Sequence, residues 1–149
     1  MYYTDSLKLN VLAYDFDAMT GDITNERVFY AQPQGEDGEI AAPDGHAMDI
    51  EGCIWVAIYG GSKVVRISPN GEVIAEILLP TRNITDVAFA GEDVFITCAT
   101  DENVEKFPKS AENSGNLFKC HVGIKERPLN KFRLEKDKIG VLEIDSGML

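Results

Sequence analysis

Apolar side chains return at every second position through most of this chain, in runs of four to seven residues rich in Val, Ile, Phe and Tyr. A period of two sends alternate side chains to opposite faces of a strand. The intervals carry turn chemistry: Met19-Thr20-Gly21-Asp22, Glu51-Gly52, Gly60-Gly61, Pro69-Asn70-Gly71 and Gly91-Glu92-Asp93. The pattern predicts short strands at Tyr2–Asp5, Val11–Phe16, Glu26–Ala31, Ala47–Ile50, Ile54–Tyr59, Lys63–Ser68, Val73–Leu79, Asp86–Phe89, Val94–Cys98 and Asn116–Val122. No segment joins a helical period to caps. The fold class expected is all-β, with essentially no helix in residues 1–100.

Laid over one another, these strands repeat. Tyr2-Tyr3-Thr4, Trp55-Val56-Ala57 and Phe95-Ile96-Thr97 occupy one rank. Ala13-Tyr14-Asp15-Phe16 with Thr20-Gly21, and Val65-Arg66-Ile67-Ser68 with Asn70-Gly71, occupy the next, and Leu117-Phe118-Lys119 reads as a third copy. Four strands in roughly 40–50 residues is the spacing of a β-propeller blade, whose small sheets hide their faces against their neighbours. The copy from about Pro43 to Pro80 is complete, whereas the first opens at its second strand. Residues 101–115 form the longest loop candidate, a length more often functional or disordered than idle. The repeat fades beyond Leu134, so the reading divides the chain into a propeller-like region, 1–134, and a divergent tail, 135–149.

Composition narrows the function classes. A chain of 149 residues with 44% hydrophobic positions is long enough to bury a sizeable core as one domain. Its net charge of −11 repels phosphate backbones and anionic lipid headgroups, which argues against nucleic-acid and membrane partners. The acidity is uneven: residues 1–105 hold 5 basic and 19 acidic side chains, residues 106–149 hold 9 and 6. The longest apolar stretch, Ile54 to Tyr59, falls far short of the ~18 residues of a membrane span. Met1 to Ser6 offers no signal-peptide pattern, so the expected location is cytoplasmic. Cys53, Cys98 and Cys120 are too dispersed for a metal clip or a disulfide framework and read as reduced, packed thiols. The sequon Asn83-Ile84-Thr85 has meaning only in the secretory pathway. Asp15-Phe16-Asp17 leading to Asp22 imitates a calcium loop, but Thr20 stands where an EF-hand needs Gly, so it reads as an acidic turn.

Pro43-Asp44-Gly45-His46-Ala47-Met48-Asp49, followed by Glu51-Gly52-Cys53-Ile54-Trp55-Val56-Ala57, resembles the regucalcin/gluconolactonase (senescence-marker-protein) family. The resemblance extends through Tyr59-Gly60-Gly61, Val64-Val65-Arg66, Pro69-Asn70-Gly71, Phe89-Ala90-Gly91 and Val94-Phe95-Ile96-Thr97-Cys98, and covers about Met1 to Leu134. It implies a partial six-bladed β-propeller, about three blades from the family's C-terminal half. It also implies a divalent metal in the channel, calcium first with zinc, manganese or magnesium as alternatives, and a sugar lactone as substrate. In the family the Asp of Pro-Asp-Gly is a metal ligand and the proposed general base, a role that maps onto Asp44. The plainer use of such an Asp is an Asx-turn.

The resemblance further implies that the other family ligands, a Glu of the first blade and an Asn ahead of the Tyr-Tyr strand, lie before Met1. One carboxylate does not hold a hydrated divalent ion tightly, so the chain alone is expected to be a deficient lactone hydrolase. The competing reading is a non-catalytic, truncated propeller fragment that self-associates through open blade edges. His46 stands where the family commonly has Met and reads as a neutral packed imidazole. His121 reads as a surface residue, and Trp55, Tyr59 and Phe95 as blade core. Asp86 opens the next inner strand and is a second candidate carboxylate, although strict alternation sets Thr85 opposite Asp44. Deprived of partners, the Asp44 carboxyl is expected to have a raised pKa.

Overall fold

The computed structural model describes residues 1–35 and 39–128, so the expected tail at 135–149 lies outside the described residues. Three antiparallel sheets stand side by side. The first is built from β1 (Tyr2–Asp5), β2 (Asn10–Phe16) and β3 (Ile23–Ala31) in that order. The second orders β4 (Ala42–Met48), β5 (Ile54–Tyr59), β6 (Lys63–Ile67) and β7 (Val73–Leu78). The third places β8 (Ile84–Ala90) beside β9 (Asp93–Cys98) and then β10 (Leu117–His121), with a six-residue helix α1 (Pro108–Asn113) in the loop between the last two. This is a partial propeller of three blades, and residues 1–100 hold no helix among those described.

The middle blade shows what the architecture demands. In β5 the side chains of Ile54, Val56 and Ile58 pack with Val11, Val65 and Ile67 toward the first blade, joined by Tyr2 and Phe29. Trp55 and Ala57 alternate to the opposite face and pack with Ile84, Val87, Val94 and Ile96 of the third blade. Both faces are therefore covered, and Ile54 to Ile58 are all buried. That explains why this strand is apolar at every position while β7, the mostly exposed outer edge strand of the same sheet, is not. An edge-on aromatic pair, Trp55 with Phe89 at 6.0 Å between ring centres, bridges the second and third blades, while Tyr2 and Phe29, 4.7 Å apart on β1 and β3, pair within the first. The turn after β5 passes so close beneath the Ile40 carbonyl that a Cβ at Gly60, where φ is +77°, would lie 1.9 Å from its oxygen. Glycine is required there.

One predicted strand is misplaced. The inner strand of the middle blade runs over Ala42–Met48, not Ala47–Ile50, because Pro43-Asp44-Gly45 lies within it as an irregularity between Pro43 and His46. Proline is tolerated because β4 is the edge strand of its sheet and the irregularity interrupts the ladder. The first strand of each sheet, β1, β4 and β8, borders a common hollow, with β4 against both of the others. A cavity of about 470 Å³ opens there, lined by Tyr2, His46, Met48, Val87 and Phe89 among others.

Candidate functional site

Asp44 sits in the irregular part of β4, half-buried, one residue from a glycine whose missing side chain matters. A Cβ built on Gly45 would lie 2.1 Å from Oδ1 of Asp86, so the Asp86 carboxylate rests directly on the Gly45 backbone. Oδ1 of Asp86 also accepts the Val87 N–H at 2.8 Å. Two carboxylates on adjacent blades thus come together at the Pro-Asp-Gly segment. Burial, followed by the negative charge of Asp86, holds the Asp44 carboxyl above its ordinary pKa, against a backbone hydrogen bond from Gly45 that lowers it.

The alternation argument set Thr85 opposite Asp44, and the structure corrects it. The ladder between β8 and β9 shifts register between Ile84 and Asp86, and that between β4 and β5 between Pro43 and His46. Each shift breaks strict alternation. Thr85 instead shares a hydrogen bond with the Thr97 hydroxyl, 2.8 Å away in its own sheet, and Asp86 takes the place facing the Asp44 turn.

His46 lies deeper in the hollow. Its Nδ1 is 3.0 Å from the Thr4 hydroxyl, a bond that ties β4 to β1. Burial lowers its pKa below the ordinary value against the opposing pull of Asp86, so the imidazole is disposed to stay neutral. His121 is on the surface, where it and Lys119 share the Asp93 carboxylate at 2.9 and 2.7 Å. The Cys53 thiol is pushed up by burial and then by Asp49, as suits a packed side chain. The acidic turn at Asp15 to Asp22 is closed on itself: Asp17 accepts the Met19 N–H and Asp22 the Thr20 hydroxyl.

Two buried polar clusters escaped the sequence reading. Asp49 is 0% exposed and fully engaged. Its Oδ1 accepts the N–H groups of Glu51 and Cys53 at 3.0 Å each, and its Oδ2 accepts the Trp55 indole N–H and the Arg66 guanidinium at 2.9 Å. One carboxylate thereby closes the turn between β4 and β5 and ties it to β6. The second cluster anchors the long loop. Buried Asp101 accepts the Ser110 hydroxyl at 2.6 Å, and Ser110 in turn accepts the Arg82 N–H at 2.9 Å. Loop 101–115 is held down by α1, with the Arg82 guanidinium stacked 3.5 Å from the centre of the Phe107 ring.

A hard divalent cation seeks six or more oxygens. Among the described residues no three His, Cys, Asp or Glu side chains gather as a metal-holding group. Asp44 and Asp86 therefore fit part of such a site and not the whole of it.

Residues 1–100 match the SMP-30/Gluconolactonase/LRE-like region, and the chain belongs to this family. It is 36% identical over 132 residues to regucalcin of Bos taurus, a match that covers 85% of this chain and 43% of the relative. It is 34% identical over 126 residues to a Bacillus subtilis (strain 168) protein whose assignment as sugar lactone lactonase YvrE is provisional, covering 82% and 42%. The crystal structure of a regucalcin from Agrobacterium tumefaciens, described as a calcium-binding protein, superposes with a TM-score of 0.76 at 27% identity, over 89% of this chain and 45% of the other. The chain spans less than half the length of these relatives.

Proposed function

We propose that this chain serves the metal-dependent hydrolysis of a sugar lactone, with Asp44 as its reacting carboxylate. The observation that supports this is the position of Asp44: a half-buried carboxyl in the irregular part of β4, next to the Gly45 backbone on which the Asp86 carboxylate rests, its proton affinity raised by burial and by Asp86. A carboxylate with raised proton affinity is the better general base. In this reading Asp44 takes a proton from a water molecule as the water oxygen bonds to the lactone carbonyl carbon. The ring C–O bond then breaks, and the proton passes to the departing ring oxygen, leaving the open hydroxy acid. A divalent cation, calcium first with zinc, manganese or magnesium as alternatives, belongs to the reading, and Asp44 would give it one oxygen ligand. With two carboxylates in place of a full ligand set, the chain by itself is expected to turn over little or no lactone.

Gluconolactone hydrolysis in the presence of calcium, zinc or manganese, with cation binding followed in parallel by calorimetry, tests both halves. Weak cation binding that Asp44→Asn abolishes, with turnover close to the uncatalysed background, is the expected result. Cation binding indifferent to Asp44→Asn would overturn the ligand role. A robust metal-dependent rate abolished by Asp44→Ala would overturn the deficiency.

A further inference from the structure

Asp44 and Asp86 stand where their own sheets hold them least. Asp44 lies in the interruption of the β4 ladder between Pro43 and His46, and Asp86 borders the register shift that begins at Ile84. β4 and β8 belong to different sheets, so no strand ladder sets the distance between them. The segments that lead into the two strands are joined instead by an ion pair. Arg82, two residues ahead of β8, donates from its guanidinium to Oε2 of Glu39, three residues ahead of β4, at 2.8 Å.

Both ends of this pair are anchored. On the third blade, the Arg82 N–H donates to the Ser110 hydroxyl at 2.9 Å and its carbonyl accepts the Ser62 N–H at 3.3 Å. Its guanidinium lies 3.5 Å from the centre of the Phe107 ring and 3.8 Å from buried Asp101. On the second blade, the Ile40 carbonyl presses against Gly60, and Ala41 is buried in the core shared with the first blade. A backbone bridge between Tyr59 and Asn83 crosses the same junction one strand over. A single bridge is a pivot; the ion pair is a second point that stops β4 from turning about it. Lys106 bonds to the other oxygen of Glu39. Lys106 first, and Arg82 after it, hold the Glu39 carboxyl below its ordinary pKa against partial desolvation, so it stays ionised. Asp101, Lys106, Phe107 and Ser110 all belong to loop 101–115.

We propose that Glu39 and Arg82 are positioning residues of the candidate site, through which loop 101–115 fixes the spacing of Asp44 and Asp86. The inference rests on the reading of Asp44 as the reacting carboxylate and gives the longest loop of the chain a role in it. Groups that hold a ligand in place from outside a metal site typically change metal affinity about 10-fold or more when removed.

Two-dimensional amide NMR of the wild type, Glu39→Gln, Lys106→Gln and Glu76→Gln, each titrated with calcium, tests the positioning. The Gly45 and Val87 amides report the site, because the Asp86 carboxylate rests on the Gly45 backbone and accepts the Val87 N–H. Glu39→Gln should displace both signals and weaken calcium binding about 10-fold. Lys106→Gln separates position from charge. Loss of a nearby cation would strengthen calcium binding by Coulomb attraction alone, whereas loosened positioning weakens it and moves the same two signals by less than Glu39→Gln does. Glu76→Gln removes the same charge as Glu39→Gln from the ion pair of Lys63 and Glu76, 2.6 Å apart, and should leave signals and affinity unchanged. Signals unmoved by Glu39→Gln, signals moved as far by Glu76→Gln, or calcium binding strengthened by Lys106→Gln would each overturn the proposal. If Glu39→Gln fails to fold, Lys106→Gln, at a side chain 54% exposed, decides by the same two readings. Calcium binding indifferent to Asp44→Asn removes the reading of Asp44 and this inference with it. Binding that depends on Asp44, with Gly45 and Val87 unmoved in Glu39→Gln, overturns the positioning alone.

Discussion

Asp49→Ala is expected to lower folding stability by about 3–5 kcal/mol, because removing one partner of a buried ion pair strands the other. Arg66 loses its buried partner and keeps only Glu51, whose side chain is 62% exposed. The Trp55 indole N–H and the amide protons of Glu51 and Cys53 lose their acceptor in the same stroke. Each buried donor left without a partner adds a desolvation penalty. Asp49→Asn retains an acceptor oxygen and should lose less. Urea unfolding followed by tryptophan fluorescence, in which Trp55 is the single reporter, measures both variants. A loss below about 1 kcal/mol for Asp49→Ala, within the range of an ordinary surface pair, would show that the cluster is solvated in solution.

Trp55→Ala is expected to destabilise by about 3–5 kcal/mol as well, through a different cause: a large buried ring is deleted at the junction of two blades and leaves a cavity. Trp55 is 4% exposed, stacks edge-on with Phe89 across the junction, and lies 5.5 Å from the Arg66 guanidinium. Because its indole also donates to Asp49, the two substitutions should not add. A double-mutant cycle followed by circular dichroism is expected to give a coupling of about 0.5–3 kcal/mol, the range for residues in direct contact. Strict additivity would mean that the hydrogen bond between them contributes nothing.

The blades were legible in the sequence because alternation, β-branched residues and glycine turns all pointed to one answer, and because a repeat adds evidence with every copy. Ile54–Tyr59 and Tyr2–Asp5 were read with their observed bounds for that reason. The start of β4 was not legible. Pro-Asp-Gly is a turn signal, and only the edge position of the strand lets it lie inside a sheet. The same local irregularity hid the pairing of Asp44 with Asp86, since an argument from strict alternation has no means of foreseeing two register shifts on neighbouring strands. Asp49 was overlooked for another reason. An Asp close to Glu51-Gly52 looks like a solvated turn residue, and the groups that bury it, Trp55 and Arg66, lie on two later strands. Its signal was present in retrospect: an Asp, a Gly and a Trp in close succession, then an Arg on the strand that pairs with the Trp. Helix α1 carries a proline in its first turn and no side-chain cap, so its six residues offered nothing for a periodicity argument to detect.

The account rests on Asp44 being a desolvated carboxyl facing a second carboxylate, and carbon-detected NMR titration of the aspartate side chains measures that directly. The Asp44 carboxyl should titrate above the ordinary carboxylate range in the metal-free chain, and Asp86→Asn should bring it down. A folded-state pKa above the unfolded one means that the native state holds its proton more tightly, so this group's contribution to stability falls as pH rises between the two values. An ordinary or depressed value for Asp44, unmoved by Asp86→Asn, would contradict the account and leave Asp44 as a solvated turn residue.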